Sequence, residues 1–210
     1  MEIEEAIKEL KNQKRNFKQS IDLIINLKNF DPKRQSIDFF IELPYGKGKE
    51  NKIAIILERD DEEIKKFCDV LVWKDIENLS LKEFKKIKKK YDYFICLAKL
   101  MPSLAKNFGK VLQRKMPNPQ LGCVLVDVDK NKIKNLVEKL KKTIRVKNDG
   151  NSLKLVIGRE DMEEKKILEN FDYVYKKILE NLPNREANIK EILIKLTMSK
   201  PMKLKSYEKK

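Results

Sequence analysis

Between residues 21 and 27 the chain alternates, placing Ile21, Leu23, Ile25 and Leu27 on one face. A second alternating run puts Ile37, Phe39, Ile41 and Leu43 on one face, with Asp38, Phe40 and Glu42 on the other. Period-two alternation marks half-buried strands, and the DPKRQ turn between these two predicts an antiparallel pair. Ahead of them, Ile3, Ala6, Ile7 and Leu10 recur at the spacing of an amphipathic helix.

The rhythm changes at PYGKGKENK, residues 44–52, where one proline and two glycines break the pattern. Short apolar runs (KIAIIL, DVLVW, DYFICLA and a fourth, CVLVDV) then alternate with helical stretches (EEIKKFC, LKEFKKIKKK, 103–112 and NKIKNLVEKLKK). Apolar runs separated by helices predict a parallel sheet covered on both faces. A turn cluster follows at 147–152. Beyond it come the strand-like LKLVIG and a helix carrying Ile167, Phe171, Val174 and Ile178. A closing strand then runs through Ile192, Ile194, Leu196 and Met198 before Pro201 interrupts it.

Outer segments of one periodicity around an inner segment of another suggest a discontinuous domain carrying an insertion. The expected division is residues 1–45 with 146–210, enclosing 46–145. Paired hinges are expected near 44–50 and 145–151, at Gly46, Gly48, Asn148 and Gly150.

Charge narrows the partners. The 210 residues hold 48 Lys+Arg against 33 Asp+Glu, a formal charge of +15. Such an excess attracts polyanions, because each neutralised phosphate releases condensed counterions. Nucleic acid is the first reading; anionic membranes and acidic proteins answer the same charge. No apolar run approaches the ~20 residues of a membrane span, and the acidic, amphipathic start is unlike a signal peptide. Three well-separated cysteines read as buried thiols of a reducing cytoplasm. Histidine is absent, which removes Ser-His and Cys-His nucleophiles and His-ligated zinc. No catalytic residue, metal or cofactor is expected.

Several motifs have plain structural readings. Gly46-Lys47-Gly48-Lys49 lacks the P-loop spacing and its Ser/Thr, and a strand follows it, so it reads as a flexible basic linker. LKEFKKIKKK reads as a solvated helix face, and Asp60 to Glu63 as helix N-terminal charge. QKRNFKQS is more suggestive: Phe17 sits among Lys14, Arg15, Lys18, Gln19 and Ser20. Cations for phosphates, an aromatic for stacking and polar groups for 2′-hydroxyls make up RNA-binding chemistry. Phe17 as a core anchor is the competing reading. The terminal TMSKPMKLK is similar: six lysines and one acid, Glu208, fall between 194 and 210. A strand fraying into a basic tail would explain it equally well.

Taken in order, NFKQSID (16–22), ELPYGKGK (42–49), MPNPQLG (116–122), VKNDGNS (146–152), VIG (156–158) and LTMSKPMKLK (196–205) resemble the ribosomal protein L-one family, of the archaeal type. That family supplies the protein of the mobile stalk beside the tRNA exit site. The resemblance implies an α/β fold class: an α+β first domain with an antiparallel sheet, and an inserted Rossmann-like, three-layer α/β second domain that binds no dinucleotide. It implies a non-catalytic, cytoplasmic ribosomal protein, monomeric off the ribosome. Its partners would be large-subunit rRNA, its own mRNA as a translational repressor, and transiently tRNA, whose release it assists. An RNA-binding assembly factor of the same fold and a nucleotide-dependent enzyme are the alternatives. Carried over by position, Phe17, Ser20, Thr197, Met198 and Ser199 form the RNA surface. Arg15, Lys18, Gln19 and Lys200 join them on local chemistry. Two departures stand out. Ser199 replaces the glycine of the family's Thr-Met-Gly, and the Leu-Gly-Pro-Arg-Gly segment is shortened to Leu112-Gln113-Arg114-Lys115.

Overall fold

The computed structural model describes residues 2–12 and 15–205. Lys14, Glu208, Lys209 and Lys210, named above, lie outside the described residues. Along the chain, α1 (Ile3–Asn12), β1 (Ser20–Leu27) and β2 (Asp38–Glu42) come first. Then follow β3 (Ile53–Leu57), α2 (Glu62–Lys65), β4 (Asp69–Val72), α3 (Trp73–Glu77) and α4 (Leu81–Lys90). Next are β5 (Tyr93–Leu97), α5 (Met101–Leu112), β6 (Val124–Leu125) and α6 (Lys130–Lys142). The last are β7 (Thr143–Asp149), β8 (Ser152–Arg159), α7 (Glu164–Asn181), β9 (Ile189–Leu196) and β10 (Met202–Leu204). Two compact units result, one from residues up to Glu50 together with those from Lys142, the other spanning Asn51–Lys141.

The discontinuous unit carries an antiparallel sheet in the order β10-β9-β1-β8-β7-β2. The alternating apolar face of β1 is fully committed: Ile21, Leu23, Ile25 and Leu27 are all buried against residues of α1 and α7. β1 and β2 do not pair, contrary to the hairpin expected from the DPKRQ turn. β1 is central, with Leu23 opposite Leu155 of β8 on one side and Ile194 of β9 on the other. β2 sits at the far edge, where Phe39 aligns with Val146 of β7. Both edges of the more buried strand are thereby hydrogen-bonded, and the edge falls to the more exposed strand.

The closing segment also differs from expectation. It is a hairpin: after β9 the chain turns and β10 runs back, pairing Met202 with Ile194 and Leu204 with Ile192. Leu204 is buried and Met202 packs against the core beside it, so two apolar side chains stitch the basic stretch to the sheet edge.

A buried amide organises the PYGK segment. Asn170 of α7, 0% exposed, donates to the carbonyls of Gly46 at 2.7 Å and Ile157 at 2.9 Å, and accepts from the Tyr45 N–H at 3.2 Å. Ile157 lies at the register irregularity where β8 passes Ile21 and Asp22, so Asn170 occupies a carbonyl that an irregular ladder would leave unpaired. Gly48 has φ +79°, and a Cβ there would lie 2.6 Å from Cβ of Arg159. Only glycine fits.

The second crossing between units lies at Lys141/Lys142, so the hinge expected at 145–151 is corrected. Those residues form β7 and its tight turn into β8, with Asp149 opposite Ser152 and Gly150 at φ +59°. Asn148, near the end of β7, is held on two sides: its Oδ1 accepts from Ile37 N–H at 3.0 Å, and its Nδ2 donates to the Gly150 carbonyl at 3.2 Å. A hydrogen-bonded ladder is the wrong place for a hinge.

The inserted unit has a parallel sheet in the order β4-β3-β5-β6. All five residues of β3 are buried. Successive side chains point to opposite faces, so both faces are covered. Phe84 of α4 stacks on Phe108 of α5 at 3.9 Å between ring centroids. Cys68, Cys96 and Cys123 lie in this unit's core, where burial pushes their thiols up to about 11, 12 and 11. At the shortened segment, Gln113 ends α5 with φ +46°; a side chain there takes the conformation that favours glycine. Among the described residues, no helix is long and apolar enough to cross a membrane.

Candidate nucleic-acid interface

β1 and β9 pair up to Ile21 opposite Leu196, and this register carries the two basic motifs to the same end of the sheet. Just beyond the ladder, Thr197 N–H donates to the carbonyl of Ser20 at 3.2 Å, and Ser20 N–H donates to Thr197 Oγ1 at 3.3 Å. One residue further, Met198 N–H donates to Oε1 of Gln19 at 3.1 Å. QKRNFKQS and TMSK, distant in sequence, are thus tied residue by residue.

The tie decides how each side chain is presented. Phe17 is 50% exposed and Met198 58% exposed, so the core-anchor reading of Phe17 does not hold. Arg15 and Lys200 are exposed beside them. Gln19 is corrected: it is 2% exposed, its side chain holds Met198, and its carbonyl accepts Glu160 N–H at 3.0 Å. A buried amide that positions a loop is not a solvent-facing contact for RNA.

Ser199 answers the first departure. Its N–H donates to Leu196 O at 3.0 Å, closing a tight turn, while its Oγ accepts Leu196 N–H at 2.8 Å. Oγ also lies 3.3 Å from Leu196 O and 3.2 Å from Lys200 O, and its one proton serves one of these. Its φ is not positive, so glycine is not required here. The hydroxyl closes the Leu196–Lys200 loop instead of facing outward.

Acids shape the rim. Lys18 pairs with Asp161 at 3.0 Å and Arg159 lies 3.2 Å from the same carboxylate. The hydrogen bond from Lys18 holds the Asp161 carboxyl below its ordinary range, with the charges of Arg159 and Lys18 adding to it. Lys18 therefore meets an anion only by exchanging partners, an exchange that costs little for an exposed pair. On the sheet, burial raises the Asp22 carboxyl, and Lys195 opposes the shift. Glu160 and Asp161 went unnoticed in the sequence. They arrive because Ser20 pairs with Arg159, and register across a sheet leaves no local signal.

No group of three or more His, Cys, Asp or Glu residues able to hold a metal ion occurs among the described residues. Gly46 and Gly48 stay near the first crossing, while Asn148 and Gly150 belong to the β7–β8 turn, so the four do not come together as a hinge. What the joined tip offers is a hydrogen-bonded platform: an aromatic and a thioether outward, with cations around them.

The chain is 36% identical to the large ribosomal subunit protein uL1 of Thermococcus kodakarensis, over 95% of each chain. It is 36% identical to that of Nanoarchaeum equitans, covering 93% of this chain and 95% of the relative. Against that of Methanocaldococcus jannaschii, identity is 33%, covering 98% and 96%. The sequence profile described as the ribosomal protein L1p/L10e family matches residues 8–200, a span that takes in both units and both halves of the joined tip. The chain belongs to the ribosomal protein L1p/L10e family, as an archaeal-type member.

Proposed function

We propose that the chain is a non-enzymatic constituent of the large ribosomal subunit and binds large-subunit rRNA through the joined tip. One observation carries this reading. The hydrogen bonds from Thr197 to Ser20 and from Met198 to Gln19 fix the tip, and they leave Phe17 and Met198 exposed among Arg15, Lys18 and Lys200. A rigid tip reads the shape of RNA through sugars, phosphates and stacked bases. Relatives that carry the name large ribosomal subunit protein support the assignment.

The finer placement follows from family resemblance. The rRNA site is the mobile stalk near the tRNA exit site, and stalk movement assists release of deacylated tRNA, a transient partner. A similar site in the protein's own mRNA serves translational repression. The chain acts in the cytoplasm, as a monomer until it joins the ribosome, and the two crossings at Glu50/Asn51 and Lys141/Lys142 are where its units would hinge.

Filter binding to a stalk rRNA fragment tests the reading. Phe17→Ala and Met198→Ala should each weaken binding roughly five- to a hundredfold, the worth of one stacked contact. Wild-type affinity in both would remove the tip from the interface. Co-sedimentation with mature large subunits separates a resident protein from an assembly factor of the same fold.

A further inference from the structure

The inserted unit carries a hollow of about 360 Å³ lined by Leu81, Lys82, Lys85, Lys88, Lys110 and Val111, together with Gln113. Four of its walls are lysines and none is an acid.

These lysines are not alike. Lys88 Nζ donates to Val111 O at 2.6 Å, and Lys115 just beyond the rim donates to Lys88 O and Tyr91 O. Both amines tie the end of α4 to the end of α5, which is a sufficient structural role. Lys82, Lys85 and Lys110 have no such role, and none lies within ion-pair distance of a carboxylate among the described residues.

Helix electrostatics do not account for them. Cations are stabilised near a helix C-terminus, which suits Lys110 in the last turn of α5. Lys82, however, is the second residue of α4, two positions after the Ser80 cap, where the dipole opposes positive charge. Lys85 lies one turn on, facing the same hollow, so like charges are gathered without relief. A solvated face would scatter them. Here they share a concavity with the apolar side chains of Leu81 and Val111.

We propose that Lys82, Lys85 and Lys110 form a second anion-binding surface, on the inserted unit, that takes the phosphodiester backbone of a nucleic acid. Helix rise sets Lys82 and Lys85 about 4.5 Å apart along α4. Over that distance one strand of a duplex presents roughly two phosphates. The two aliphatic side chains in the lining accommodate lysine stems and the apolar edge of a sugar. Four of the seven lining residues are lysines and Gln113 is the one amide, so the contact rests on charge more than on base edges. The choice of RNA as the polyanion rests on the reading of the chain as an RNA-binding protein.

The full chain is tested with an RNA duplex of about 20 bp of unrelated sequence and no loop. In lysine acetylation footprinting, Lys82, Lys85 and Lys110 should react in the free protein and be shielded by the duplex. The triple variant Lys82→Gln, Lys85→Gln, Lys110→Gln should lower the slope of log affinity against log salt by about two to three units. Unchanged reactivity, an unchanged slope, or shielding by poly-glutamate but not by RNA would overturn the proposal. Tip variants assayed on the stalk fragment report separately. A tip that loses no affinity while these lysines are shielded would sink the first site and leave this one standing.

Discussion

The side-chain oxygen of Gln19 accepts a hydrogen bond from the backbone N–H of Met198 at 3.1 Å. This bond joins a segment before the first strand to the loop after the ninth. It makes Gln19 a positioning residue for a tip it does not itself expose.

Gln19→Ala should leave the Met198 N–H without its partner, at a cost of ~1–3 kcal/mol if the group stays dry. Affinity for the stalk rRNA fragment should fall about tenfold or more, while Phe17 and Met198 remain in place as residues. Amide exchange at Met198 is the discriminating readout. Faster exchange is expected, and protection equal to wild type would show that the bond does not hold the tip.

Lys18 and Lys200 should behave differently in salt. Lys200 is exposed and has no ion pair among the described residues, whereas Lys18 already faces Asp161 at 3.0 Å. Lys200→Ala should reduce the salt slope of RNA binding by about one unit. Lys18→Ala should reduce it by less, since Lys18 is already paired with Asp161 and so neutralises less phosphate charge. Equal slopes for the two variants would contradict this ordering.

Gly48→Ala meets two obstacles at once, a φ of +79° and a Cβ position 2.6 Å from Cβ of Arg159. Its cost should exceed the ~1–2 kcal/mol of left-handed backbone alone. Gly150→Ala provides the control, because φ is +59° and nothing lies within 4 Å. Thermal unfolding should place Gly150→Ala between wild type and Gly48→Ala. The reverse order would mean that Arg159 and Met162 yield readily.

Asp38 gives an acid-sensitive contribution. Two hydrogen bonds from Arg145, at 2.6 and 2.7 Å, join β2 to β7. The Arg145 hydrogen bond leads the causes that lower the Asp38 carboxyl. A lowered carboxyl stabilises the fold above its unfolded value, ~3.9, and the contribution is lost as pH falls through the lower folded value. Asp38→Asn should therefore destabilise at neutral pH and have little effect once the pH is low enough to protonate the carboxyl in both states. Urea midpoints across that range test it; a constant difference would mean the carboxylate charge plays no part.

Legibility in the sequence followed burial. β1 was readable because one face is fully apolar and a one-residue slip would expose all of it. The parallel strands were readable because β3 is buried on both faces. Pairing was not readable, since β1 takes partners from β8 and β9 instead of its neighbour β2. β10 was missed because three residues are too few to show a period, and its register comes from Leu204 beside Ile192. Phe17, Met198 and Lys200, the proposed contacts, stand out by residue type and resemblance, and all three are exposed. Gln19 was misjudged, because nothing local separates a solvated glutamine from one buried by a strand that arrives 140 residues later.

During synthesis β1 emerges long before either of its partners. The inserted unit has all its strands once residue 141 is out, whereas Ile21 must wait for Leu196, roughly 175 positions downstream. Closing so long a loop is thermodynamically cheap, because a fourfold longer loop costs only ~1.2 kcal/mol more. Kinetically it leaves the apolar row of β1 uncovered while the rest is made. The tip is sealed by Thr197, Met198 and Ser199, so it does not exist until residues through Lys200 have been made. A nascent chain stopped short of that point has cations to offer RNA, but no shape.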